Sequence, residues 1–172
     1  MRRGIACSCW WKGAHGWCIG GGVDLITACD IRLASADAVF SVRETKVAIV
    51  ADLGTLERLP RIVSAGHVAE LAFTGKDIDA ARAQSIGLVN SLHGESAEEV
   101  RAAAHLLAEE IAANSPLAVR GTKAVLAAND GRTVDEGLDF VARWNTLYLQ
   151  SNDLREAMTA FVERRAPKFT GD

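Results

Sequence analysis

The chain has no apolar stretch approaching the ~18 residues that a membrane span requires. Arg2 and Arg3 followed by the apolar run to Trp11 imitate the start of a secretory leader, but Lys12 ends the run and no small-residue cleavage site follows. No block of like charge is present, and a net charge of −3 gives nothing to hold a phosphate backbone, so neither nucleic acid nor a membrane is an expected partner. The four cysteines, Cys7, Cys9, Cys18 and Cys29, form no CxxC pair, and reduced thiols in a cytoplasmic protein are expected. His15, His67, His93 and His105 lack the i, i+4 spacing of a helical metal pair, so no metal is expected. There is no GxGxxG, no G-x-S-x-G elbow, and Gly75-Lys76-Asp77 lacks the rest of a P-loop. Dinucleotide, nucleoside-triphosphate and serine-nucleophile chemistry have no foothold in these patterns. Repeats, low-complexity tracts and a Pro/Ser-rich linker are also missing.

What is present centres on Gly20, Gly21 and Gly22, which follow a short apolar run and lead into Val23-Asp24-Leu25-Ile26-Thr27-Ala28. This is the pattern of a strand, a turn and a buried helix. Glycines there permit positive φ and close approach to the backbone, and the first helical turn leaves N–H groups free to meet an anionic oxygen. A tight turn serving only helix packing explains the same glycines equally well.

At 172 residues one core is expected. Asp30–Ser35 alternates polar and apolar residues, and Ala38–Val42 is a second strand pattern; Glu44–Val50 is extended or looped. A helix begins near Asp52 or Thr55 and stops at Pro60, another runs from Ser64 to Gly75, and Asp79 caps a third that Gly87 closes before a strand at Leu88–Leu92. From Ser96 the chain is helical almost throughout, with the capping boxes Ser96/Glu99 and Thr133/Glu136, Pro116 at a helix start, and a last helix from Leu154 to Arg164. The expected fold class is α/β, and the expected divisions are an unmatched segment 1–12, an α/β core 13–93 and a helical region 94–172.

Three carboxylates stand where chemistry could use them: Asp24 just past the glycines, Glu44 after the second strand, and Asp52 before the next helix. Singly each has a structural explanation, a helix-dipole charge, a solvated loop charge and an N-cap respectively. Together with an oxyanion-type turn they match the needs of proton transfer at carbon: a base, an acid and a place for enolate charge.

The runs Gly16–Arg32, Ala38–Glu44, Leu59–Val63, Thr74-Gly75 and Ala80–Asn90 resemble the crotonase (enoyl-CoA hydratase/isomerase) superfamily, and the resemblance extends from about Gly13 to the chain end. It implies the C-terminal part of a ββα spiral followed by a helical, oligomer-forming region. Phe161–Phe169 resembles the family's closing helix and tail. Hydratases of that family carry glutamate at the positions of Asp24 and Glu44 and glycine at that of Asp52. Asp24, Glu44 and the run Ala51–Pro60 instead resemble the delta(3,5)-delta(2,4)-dienoyl-CoA isomerases. The resemblance implies that Glu44 takes the C2 proton of a 3,5-dienoyl thioester, Asp52 delivers one at C6, Asp24 assists, and the Gly21 N–H binds the thioester oxygen. It also implies an acyl-CoA substrate, no metal or redox cofactor, a place in fatty-acid β-oxidation, and a homotrimer or homohexamer.

Met1–Lys12 resembles none of the front part of that family, which supplies the second oxyanion donor and much of the CoA pocket. A truncated gene product is therefore the expectation. The alternatives are an enoyl-CoA hydratase with an unusual acid pair and a non-catalytic fragment that binds other subunits.

Overall fold

The structure, a computed structural model, describes residues 11–172 without the Trp11 side chain; the sequence reading for residues 1–10 lies outside the described residues. Four-residue strands β1 (Trp11–Ala14) and β3 (Ile31–Ala34) pair in parallel, Trp11 with Ile31 and Ala14 with Ala34. The short β6 (Ser91–Leu92) adds to the other side of β3, also in parallel. A second sheet is built from β2 (Trp17–Ile19), β4 (Val39–Ser41) and β5 (Ile78–Asp79), with β2 parallel and β5 antiparallel to β4. Parallel neighbours need a crossover. Helix α1 (Gly21–Thr27) lies in the chain between β2 and β4, and its Val23 and Ile26 are buried in the same cluster as Phe40, Leu59, Leu71, Leu88 and Val89.

Two departures from the sequence reading have physical causes. The alternation in Asp30–Ser35 implied one wet face, yet Arg32 and Ser35 are both buried. Arg32 survives there because its Nε donates to Leu88 O at 2.7 Å and its Nη1 to Cys29 O at 2.7 Å, while burial pulls its pKa below the ordinary arginine range. The expected strand at Leu88–Leu92 shrinks to two residues, since Leu88 and Val89 are drawn into the core and Asn90 instead brackets Arg32, donating to its carbonyl and accepting from its N–H. Cys18 is a free, buried thiol.

Within Glu44–Val50, read from sequence as extended or looped, Glu44–Val47 forms one 3-10 turn. Helix α2 (Thr55–Arg58) follows, then a second 3-10 turn at Leu59–Arg61, α3 (Ala65–Thr74) ended by left-handed Gly75, and α4 (Ala80–Ser85), whose N-cap Asp79 accepts from Arg82 N. The chain divides into two compact units, the first ending at Leu106 and the second comprising Leu107–Asp172, so that the break falls within α5 (Ala97–Ala112).

In the second unit, α6 (Pro116–Ala128) and α7 (Val134–Tyr148) approach closely where Gly121 faces the Trp144 indole; a Cβ at Gly121 would overlap that ring. The Thr133/Glu136 capping box is fully formed. Helix α8 (Asn152–Glu163) receives the returning tail at its N-terminus, where the Asp172 carbonyl accepts from Asn152 N at 2.8 Å and Asp153 Oδ1 accepts from Thr170 N at 2.8 Å. No helix among the described residues is long and apolar enough to cross a membrane.

Candidate active site

The glycine turn is built as its sequence suggests. Gly20 takes φ 53° and ψ −115°, a conformation that a side chain resists, and caps α1 with its backbone alone. Its N–H is committed to Ser41 O at 2.9 Å, and its carbonyl accepts from Val23 N at 2.8 Å and Asp24 N at 3.1 Å. The next two N–H groups, Gly21 and Gly22, have no acceptor among the described residues. Such orphan donors at a helix start favour an anionic oxygen. A Cβ built at Gly21 meets nothing within 4 Å, so this side of the turn is open.

Glu44 comes to the same turn from β4. A Cβ at Gly20 would lie 3.2 Å from Glu44 Oε1, so the carboxylate borders the turn directly. Two bonds hold its segment in place: Ile49 N donates to Glu44 O at 3.2 Å, and Thr45 Oγ1 donates to Ala72 O at 2.5 Å. Glu44 Oε2 is buried and has no hydrogen-bond partner among the described residues. A buried acceptor left unmade costs about 1–3 kcal/mol, a cost that a protein interior rarely retains without use.

Asp24 is arranged differently. Its side chain is buried, and Oδ1 accepts from both Thr55 N at 2.8 Å and Thr55 Oγ1 at 2.6 Å, with Arg58 Nη2 3.9 Å away. Asp52 is exposed on the segment before α2, and no hydrogen bond or ion pair joins its carboxylate to another described residue. It does not cap α2. The N-cap is Gly54 at φ 103°, which makes no side-chain bond, so the N-cap explanation for Asp52 fails. The structure thus brings Gly20, Gly21 and Glu44 together, and fastens Asp24 to the helix that follows Asp52. Thr55 and Arg58 were not legible as site residues. Their only sequence signal is an i, i+3 pair in a one-turn helix, and their partner lies more than thirty residues away.

Another cluster, His15, Ser35 and Asp37, has the residue types of a hydrolytic triad but not its wiring. Ser35 is fully buried and donates its hydroxyl proton to Asp37, and His15 Nδ1 is 3.2 Å from Ser35 Oγ and 3.1 Å from Asp37 Oδ1. A serine bonded to the acid and closed from solvent is no nucleophile. Among the described residues no group of three or more His, Cys, Asp and Glu side chains could hold a metal ion.

Residues 14–172 match the family model described as enoyl-CoA hydratase/isomerase. The chain belongs to this family. Among curated relatives it is 54% identical to the mitochondrial delta(3,5)-delta(2,4)-dienoyl-CoA isomerase of Dictyostelium discoideum, over 90% of this chain and 53% of that protein. It is 52% identical to the peroxisomal delta(3,5)-delta(2,4)-dienoyl-CoA isomerase of Arabidopsis thaliana, over 90% of this chain and 55% of that protein. A crystal structure of an enoyl-CoA hydratase from Mycobacterium marinum superposes with a TM-score of 0.86 at 36% identity, over 91% of this chain and 62% of that one. The α/β fold expected from the sequence is the family's fold, and the chain spans about half the length of the curated relatives it matches. The cytoplasmic expectation is overturned, because these relatives are named mitochondrial or peroxisomal. It rested on missing leader and membrane signals, which say nothing of an organelle address.

Proposed function

We propose that the whole protein is a delta(3,5)-delta(2,4)-dienoyl-CoA isomerase acting on acyl-CoA in β-oxidation. The observation that carries this reading is the unpartnered, buried Glu44 Oε2 at the glycine turn whose next N–H, that of Gly21, has no acceptor among the described residues, a base at the turn of an oxyanion donor. Glu44 takes the proton from C2 of a 3,5-dienoyl thioester. The negative charge spreads from the thioester oxygen, which the Gly21 N–H binds, to C6. Asp52, in its acid form, delivers a proton at C6, and the C3–C4 and C5–C6 double bonds become C2–C3 and C4–C5. One proton leaves and one arrives, so the balance closes within two carboxylates, without a redox cofactor. The product leaves Glu44 protonated and Asp52 ionised; the cycle closes when Glu44 gives its proton to solvent and the exposed Asp52 takes one from it. Asp24, bonded to Thr55, supports the pair without moving a proton.

The names of the 54% and 52% identical relatives favour isomerisation over the hydration named for solved structures at 36% identity. Assembly as a homotrimer or homohexamer accords with the apolar side chains that α7 and α8 expose, Leu138 and Leu147 on one and Met158, Phe161 and Val162 on the other.

The test is turnover of a 3,5-dienoyl-CoA, followed by the absorbance of the conjugated 2,4-dienoyl thioester. Asp52→Asn should keep the fold and lose ~10²–10⁴-fold in kcat, the range for a general acid. A loss below tenfold would remove Asp52 from the reaction, and faster water addition to a 2-enoyl-CoA than dienoyl isomerisation would make the protein a hydratase.

A further inference from the structure

The segment that carries Asp52 has little of its own to hold it. Helix α2 is a single turn with a glycine N-cap and no side-chain cap, and one turn is far too short to be stable by itself. Its position comes from α1. Arg58 Nη2 donates to Leu53 O at 2.9 Å, the carbonyl just after Asp52, and to Asp24 O at 2.9 Å on α1. Arg58 Nε donates to Thr27 Oγ1 at 3.3 Å, and that hydroxyl donates in turn to Asp24 O at 3.0 Å. Asp24 closes the ring by accepting from both the N–H and the hydroxyl of Thr55. Gly54 is needed twice over, for its φ of 103° and because a Cβ there would collide with the Arg58 guanidinium.

We propose that Arg58, together with Thr55 and Asp24, is a latch that positions the Asp52 segment against α1, the helix whose first N–H groups face the substrate. The inference rests on the reading of Asp52 as the acid at C6. Arg58 is a positioning residue that touches no reacting atom. Its Nη2 bridges the acid's segment at Leu53 O and the helix of the oxyanion glycine at Asp24 O, while Nε bonds Thr27 on that same helix, so the spacing between acid and oxyanion donor is set by a rigid planar group. A lysine ammonium is a point charge and cannot serve acceptors on Leu53, Asp24 and Thr27 from one fixed plane.

The discriminating property is that the latch acts on Asp52 and not on Glu44, which is held independently through Ile49 and Thr45. Arg58→Lys in the whole protein should lower kcat for dienoyl isomerisation ~10–10²-fold, the scale of a displacement near 1 Å, with KM changed less than about threefold. Solvent-deuterium exchange at C2 of the bound acyl-CoA should stay within about twofold of wild type. Thr55→Val, nearly isosteric and lacking only the hydroxyl bond, should give the same split at smaller size. Added guanidinium should restore part of the kcat of Arg58→Ala, because the site is one-third open to solvent, and methylammonium should not.

Amide hydrogen exchange supplies a readout that needs no activity. In Arg58→Lys the amides of Leu53–Thr55 should exchange at least about tenfold faster, with those of Phe40 and Leu88 unchanged. Equal losses of exchange at C2 and isomerisation, together with faster exchange at Phe40 and Leu88, would make Arg58 an ordinary folding residue and overturn the proposal. So would wild-type kcat or unchanged Leu53–Thr55 amides in the variant. A wild-type protein that neither exchanges C2 nor isomerises a dienoyl-CoA refutes the isomerase reading, and with it the acid role of the latched segment, even where the amide data show Arg58 holding that segment.

Discussion

Replacing Gly20 by alanine tests the glycine turn on two counts at once. The first is conformational: at φ 53° and ψ −115° an L-residue lies outside its allowed basins, a strain of about 1–3 kcal/mol. The second is contact, because the new methyl would stand 3.2 Å from Glu44 Oε1, tighter than an ordinary van der Waals contact. The main chain at Glu44 and Thr45 is bonded to Ile49 and Ala72, so the carboxylate must move by a few tenths of an ångström. For a domain of this size 1 kcal/mol corresponds to roughly 2–4 °C, so Gly20→Ala should lower Tm by about 2–12 °C. C2 proton abstraction should fall as well, since the base is displaced. Gly16→Ala is the control: it also carries positive φ, 61°, but its Cβ would meet nothing within 4 Å, so it should lose stability without touching Glu44. Thermal or urea unfolding alongside C2 exchange reads both effects. A Gly20→Ala protein within about 0.5 kcal/mol of wild type would refute the strain argument. One that exchanges C2 at the wild-type rate would refute the contact between this turn and the base.

Gly21→Ala should behave in the opposite way, because a Cβ there meets no protein atom. Tm should hold within about 2 °C, while kcat/KM falls ~10²-fold as the methyl displaces the thioester from the donor by about 1 Å; full activity would show that the open space is not the substrate's. Burial pushes the Cys18 thiol from 9.0 up to about 11, against a smaller downward pull from Lys12. The unfolded thiol therefore ionises first, and the stability due to Cys18 is present below pH 9 and lost as pH rises from 9 towards 11, at up to about 1.4 kcal/mol per pH unit. Urea titrations across that window should show a flatter slope in Cys18→Ala, and an identical slope would contradict the assignment. Hydrogen bonds from Arg165, then from Lys168 N, hold Glu156 down to about 2. Its hold on the C-terminal tail is present above pH 4.5 and lost as pH falls through about 2, and the Lys168 amide should lose protection over that range; an amide that is equally protected at pH 2 would rule this out.

The elements read correctly from sequence are those with local causes. Asp79 caps α4 through Arg82 N, the Thr133/Glu136 box opens α7, and Gly75 ends α3 in the left-handed region. The elements missed exist only through distant partners. Strand β1 sits in a stretch with no alternation and is defined by its register with Ile31–Ala34, and β5 is two residues that β4 recruits by antiparallel pairing. Pattern could not foresee that Arg32 would be buried, since its acceptors, Leu88 O and Cys29 O, come from bends. The site divides along the same line. Gly20, Gly21 and Glu44 were legible because a glycine turn and a strand-end carboxylate are local signals, whereas the bonding of Asp24 to Thr55 and Arg58 spans 31 and 34 positions.

The most direct measurement is proton exchange at C2 and isomerisation, followed side by side in deuterium oxide for wild type, Glu44→Gln and Asp52→Asn. The account assigns C2 to Glu44 and C6 to Asp52. Glu44→Gln should therefore lose both C2 exchange and isomerisation, whereas Asp52→Asn should keep C2 exchange and fail only to place the proton at C6. Persistent C2 exchange in Glu44→Gln, or its loss in Asp52→Asn with Glu44 intact, would contradict the assignment of base and acid.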